Sequence, residues 1–136
     1  MTKATSHHTT TCYGTCPKID LEIDSNRNIY LSGEFYKAYG LIDTAMSGKF
    51  VGKLTDTLYN ELINILKTSN LRSLYFPEAE GMDGSTKTLI IYYNGQRKYL
   101  KSMFPPTIAE RLILFLYRIR KIAVMTRTNE KRTIEE

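Results

Sequence analysis

An α+β two-layer sandwich is the fold class that these 136 residues predict, an antiparallel sheet of about five or six strands with two helices packed on one face. Three observations predict it. Apolar and polar residues alternate strictly from Lys18 to Asp24, the mark of a half-buried strand. Asn94-Gly95 separates two alternating runs, as in a tight hairpin. Two further stretches carry apolar residues on one stripe at helical spacing, and such helices need a sheet face to cover.

The expected order is β-β-(β)-α-(β)-β-β-α. Residues 1–8 are polar and read as a disordered N-terminal segment. One domain follows over 9–124, then a flexible charged tail over 125–136. In the first strand Ile19, Leu21 and Ile23 share one face, and Asp20, Glu22 and Asp24 the other. Ser25-Asn26-Arg27-Asn28 has turn composition. Ile29, Leu31 and Phe35 continue the alternation in a second, antiparallel strand, where Gly33 leaves room for a bulge or a close neighbour. Residues 36–48 show no clean period. Lys49 to Lys53 reads as a short third strand ending at Leu54.

Thr55 is an N-cap by residue type, with Asp56 favourable beside the positive helix end and Leu54 and Tyr59 spaced as a staple. Leu58, Leu62, Ile65 and Leu66 form the stripe of this first helix, which stops at Thr68-Ser69-Asn70. Leu71 to Phe76 reads as an edge strand, and Glu78 to Ser85 as a loop. The hairpin over Thr86 to Ser102 pairs Tyr92 with Arg97, Ile90 with Tyr99 and Leu89 with Leu100. Leu89, Ile91 and Leu100 then face the core; Thr88, Ile90, Tyr92, Arg97, Tyr99 and Lys101 share the other face. Pro106 suits the first position of the second helix, whose stripe is Ile108, Leu112, Phe115, Leu116, Ile119 and Ala123.

The net charge of +5 is uneven: residues 86–124 carry 8 basic and 1 acidic side chains, against 8 and 10 in residues 1–85. A basic half points weakly to an anionic partner, and a solvated basic face is the plainer reading. No apolar run reaches membrane-spanning length and no export signal opens the chain. The expectation is therefore a soluble protein, cytoplasmic by default.

The two cysteines lie in Thr11-Cys12-Tyr13-Gly14-Thr15-Cys16-Pro17. This stretch, with the alternating strand after it and Gly33 at the end of the next, resembles an uncharacterised bacterial family, domain of unknown function 6438. Its signature is C-[FY]-G-x-C-P, matched by Cys12, Tyr13, Gly14, Cys16 and Pro17. Leu54-Thr55 before the first helix and the proline-led last helix match in order, so the resemblance spans roughly residues 10–122. Asn28 stands where the family usually has a turn glycine, and Ile19 where it usually has an aromatic residue. The resemblance implies a fold and almost nothing of function. Family members often sit in exported or lipid-anchored proteins, which would suit a disulfide.

Three chemistries are open to Cys12 and Cys16. A type II turn with Gly14 at its third position could bring the sulfurs within bonding reach, giving a local disulfide; two buried thiols are equally plain. Thiol redox work needs a lowered thiol pKa, yet a strand follows Cys16 where a helix N-terminus would help. Metal handling would use His7, His8, Cys12 and Cys16, a set that zinc or copper accepts. No cofactor is otherwise called for. On the hairpin, Tyr92, Arg97, Tyr99 and Lys101 interleave aromatic rings and cations, a pattern that stacks bases and holds phosphates but also suits a solvated strand pair. The leading reading is a non-catalytic binding or structural module, with a protein partner ahead of nucleic acid. A non-enzyme is favoured over an enzyme, with thiol-disulfide redox or metal handling through Cys12 and Cys16 as the alternative.

Overall fold

The computed structural model describes residues 4–9, 17–76, 87–93, 96–102 and 105–130, with the backbone alone for 4–9 and Tyr93. In chain order the elements are β1 (Ala4–Thr9), β2 (Lys18–Asp24), β3 (Asn28–Glu34), β4 (Tyr36–Ala38), β5 (Leu41–Ile42), β6 (Gly48–Lys53), α1 (Asp56–Thr68), β7 (Lys87–Tyr93), β8 (Gln96–Ser102), α2 (Glu110–Ile122) and β9 (Met125–Arg127). A 3-10 turn, Thr107–Ala109, leads into α2. Among the described residues seven strands form one sheet in the order β8-β7-β1-β2-β3-β6-β9, and β4 and β5 form a separate ribbon. Every pairing among the described residues is antiparallel. The fold is α+β.

The alternation in β2 and β3 decides which face is inside. Ile19, Leu21, Ile23, Ile29 and Leu31 are buried, and Leu21 pairs with Leu31 in register. Phe50 of β6, Leu89 and Ile91 of β7 and Leu100 of β8 lie on the same face by pairing and alternation. All of them join one core with Leu62, Ile65 and Leu66 of α1 and Leu112, Ile113, Phe115, Leu116 and Ile119 of α2. Both helices therefore cover the same side of the sheet.

The two ends of α1 follow from its sequence. The Thr55 hydroxyl accepts a hydrogen bond from the Leu58 N–H at 3.2 Å, capping the helix N-terminus. At the other end the Ser69 hydroxyl, itself buried, donates to the Ile65 carbonyl at 2.7 Å, and Asn70 turns the chain with φ +53°. The β2–β3 turn is held by the Asp24 carboxylate, which accepts from the N–H groups of Asn26 and Asn28, each at 2.9 Å. Arg27 sits in that turn at φ +70°, pairs with Asp56 and lies 4.1 Å from the centroid of the Tyr59 ring. It thereby ties the turn to the first turns of α1.

Four expectations change. Residues 4–8, read as disordered, belong to β1, which pairs with β2 on one side and β7 on the other. This polar strand joins the β2-β3-β6 half of the sheet to the β7-β8 half. The tail is not wholly loose: Met125–Arg127 form β9 on the edge of β6. Leu71 to Phe76 is not a strand; Leu74 and Phe76 are buried and Tyr75 is exposed, so the alternation reports one-sided burial without a ladder. Pro106 precedes the helical turn, and Ile108, assigned to the buried stripe, is 48% exposed while Ala109 is fully buried. The loop acids between Glu78 and Ser85 and the Asn94-Gly95 turn lie outside the described residues.

Candidate functional site

The β7–β8 hairpin has the expected register: Leu89 opposite Leu100, Ile90 opposite Tyr99 and Tyr92 opposite Arg97. Tyr93 pairs with Gln96, which leaves two residues for the turn. β8 is the end strand of the sheet, with β7 as its neighbour among the described residues. On the side away from the helices it presents Arg97, Tyr99 and Lys101, all exposed. The Arg97 guanidinium lies 5.5 Å from the centroid of the Tyr99 ring, within cation–π range. Tyr92 is half-buried beside them. The face is less open than an alternating hairpin suggests. Ile90 is fully buried and Thr88 nearly so, although both lie on the outward side. Rings and cations are therefore presented by β8 itself, as a ridge rather than a broad platform.

The motif residues divide. Cys12, Tyr13, Gly14 and Cys16 lie outside the described residues, within the connection from β1 to β2. That connection joins paired neighbours, since Thr9 is in register with Ile19. His7 pairs with Leu21 and Leu89, and His8 with Asp20 and Thr88, so their backbone is held from both sides. This revises their placement in a mobile segment. Pro17 leads directly into β2. Gly33 pairs with Ile19 and Gly48, and a Cβ on it would lie 2.6 Å from the Phe35 ring. The close neighbour expected at Gly33 is therefore Phe35.

Two arrangements were not anticipated. The first is a recess of about 300 Å³ where α2 begins, lined by Lys87, Pro105, Pro106, Glu110, Ile113, Leu114 and Tyr117 among others. Burial there lowers the Lys87 pKa from the usual lysine value. The parity of Lys87 with Leu89 and Ile91 was the available signal, because it puts Lys87 on the helix side. The second is a pair of arginines on Phe50. The guanidinium of Arg120, from α2, lies 3.9 Å from the ring centroid, and that of Arg127, from β9, lies 4.8 Å away. Both reach the carbonyls of the 44–47 loop. Arg120 donates to Met46 at 3.1 Å and to Ala45 at 3.2 Å. Arg127 donates to Ser47 at 2.8 Å, Ala45 at 3.2 Å and Thr44 at 3.4 Å. No sequence period signals this pair, since the two arginines meet only across the fold.

The model of a family described as a domain of unknown function (DUF6438) matches residues 5–123. The chain belongs to that family. The DUF6438 match takes in β1 from its second residue, so the polar first strand is part of the family's stretch, and it stops before β9. No curated protein matches the chain. No helix among the described residues is long and apolar enough to cross a membrane, and they hold no group of three or more His, Cys, Asp or Glu residues placed to bind a metal.

Proposed function

We propose that this DUF6438 domain is a non-catalytic binding module that engages an anionic partner along β8. One observation carries the reading. A half-exposed tyrosine, with a guanidinium over its ring and a lysine two residues on, stands on an end strand of the sheet. Arginine and lysine supply charge for phosphate or carboxylate groups, and the ring supplies a stacking surface. On this face the positive charge comes from Arg97 and Lys101 themselves, both exposed.

A single-stranded oligonucleotide titrated at low salt tests the ridge, with an acidic peptide in parallel. Tyr99→Ala should weaken oligonucleotide binding by roughly tenfold, the worth of about 1–2 kcal/mol of stacking. Arg97→Ala should lower the salt slope by about one. Absence of binding to both probes at low salt ends the proposal. Binding of the peptide alone makes the partner a protein.

Cys12 and Cys16 enter this reading as a local staple. Their place between two adjacent paired strands favours a structural pin over redox chemistry, because neither flanking element is a helix whose N-terminus would activate a thiol. A bond closing so short a loop stabilises by about 2 kcal/mol on the chain-entropy estimate. The double substitution Cys12→Ser, Cys16→Ser should cost no more than that in chemical unfolding. A thiol titration that finds two reactive thiols in native protein purified without reductant would remove the staple.

A further inference from the structure

The edge of β6 is shaped to receive an extended segment. β9 occupies it with three register pairs, Phe50 with Arg127, Val51 with Thr126 and Gly52 with Met125, and the Thr128 N–H donates to the Lys49 carbonyl at 2.9 Å. Gly52 has no room for a side chain: a Cβ there would lie 2.6 Å from the Val124 carbonyl oxygen. Gly48, at φ +126°, would direct a Cβ into the Arg127 guanidinium. Beyond the strand edge lies a socket for one arginine, with the Phe50 ring on one side and the carbonyls of Thr44, Ala45 and Ser47 as acceptors. Arg120 fixes that loop from α2 by bonding Ala45 and Met46.

The socket and its occupant have different places in the chain. Gly48, Phe50, Gly52, the 44–47 carbonyls and Arg120 all fall within the stretch matched by the family, residues 5–123, whereas β9 lies past it. The link between them is short, since Ala123 and Val124 alone separate α2 from β9, and Val124 is 83% exposed. β9 has three residues, at the short end of strand lengths. The arginine, with charge-assisted bonds to three carbonyls and a ring face, supplies the specific hold.

We infer that the β6 edge, Phe50 and the 44–47 loop form an acceptor groove for an extended polypeptide with an apolar residue two positions before an arginine. In this structure β9 fills the groove from the same chain and so closes it to an outside strand. The partner it fits is a segment with the chemistry of a second copy's residues 125–127. Main-chain ladder bonds give such recognition its affinity, and the arginine socket gives it selectivity.

A fluorescently labelled peptide of residues 124–130 tests this by anisotropy, titrated with the full native chain and with the full chain carrying Arg127→Ala. Loss of the internal arginine frees the groove, so the variant should bind the peptide at least tenfold more tightly than the native chain. Replacing the peptide's own arginine with alanine should weaken its binding to that variant by at least tenfold. Equal affinity of the two chains, indifference to the peptide's arginine, or no binding to either chain at millimolar peptide would each overturn the inference. Circular dichroism checks that Arg127→Ala is folded; if it is not, Arg127→Lys replaces it under the same criteria.

Discussion

Leu112→Ala is expected to lower the unfolding free energy by about 3 kcal/mol, whereas Ile108→Ala and Leu114→Ala should each stay within about 0.5 kcal/mol. Leu112 is fully buried in the core shared by both helices and the sheet, while Ile108 is 48% exposed and Leu114 53%. The comparison tests the rotational phase of α2. A regular α-helical stripe would bury Ile108 one turn before Leu112. The opening turn here is 3-10, with about three residues per turn, and Ala109 takes the inward position. Urea unfolding followed by circular dichroism reads all three variants. A loss at Ile108→Ala equal to that at Leu112→Ala would mean that the helix enters as a regular α-helix.

Arg120→Ala is expected to destabilise by about 2 kcal/mol, and Arg120→Lys to restore less than half of that. Two bonds from a charged donor to carbonyl oxygens would alone be worth roughly 3–6 kcal/mol. Several effects reduce the sum. Burial first, then the neighbouring Arg127 guanidinium, lowers the Arg120 pKa from its ordinary value, and Asp43 acts in the opposite direction. Removing Arg120 thus relieves a desolvation cost and a like-charge repulsion while it frees the 44–47 loop. Lysine keeps the charge but has no planar fork to cover Phe50 and reach two carbonyls together. Thermal melts of the three proteins at one ionic strength measure the difference. Full rescue by lysine would show that charge alone holds the loop.

How far the chain can be read without its fold depends on where each signal resides. The β7–β8 register is written locally. Asn94-Gly95 sets a two-residue connection, and the observed pairs follow from it one by one. The cap at Thr55 and the stripe of Leu62, Ile65 and Leu66 are equally local, because each depends on residues within a few positions along the chain. β1 is the opposite case. Ala4-Thr5-Ser6-His7-His8-Thr9 has no apolar alternation, yet its backbone pairs on both sides. Ladder bonds join main-chain groups that every residue but proline possesses, so composition does not reveal them. Leu71 to Phe76 fails in the other direction. Burial of Leu74 and Phe76 imposes alternation on side chains whether or not the backbone has a partner strand.

The ridge on β8 was likewise half visible. Alternation placed Arg97, Tyr99 and Lys101 together on the outward side, and they are exposed there. It could not reveal that Ile90, on the same side, is fully buried. Alternation states which face a residue takes, and exposure depends on what else lies over that face.

By itself the sequence determined the α+β class, the inward faces of β2, β3, β7 and β8 and the start of α1, because periodicity and capping act over a few residues. Only the tertiary structure decided that a polar first strand joins the halves of the sheet, that β9 lines β6, and that Arg120 and Arg127 meet on Phe50. The pairing of β1 with β7, that of β9 with β6 and the meeting of the two arginines on Phe50 join positions far apart in the chain. No local pattern encodes them, because each depends on strand edges and ring faces that meet only in the folded chain.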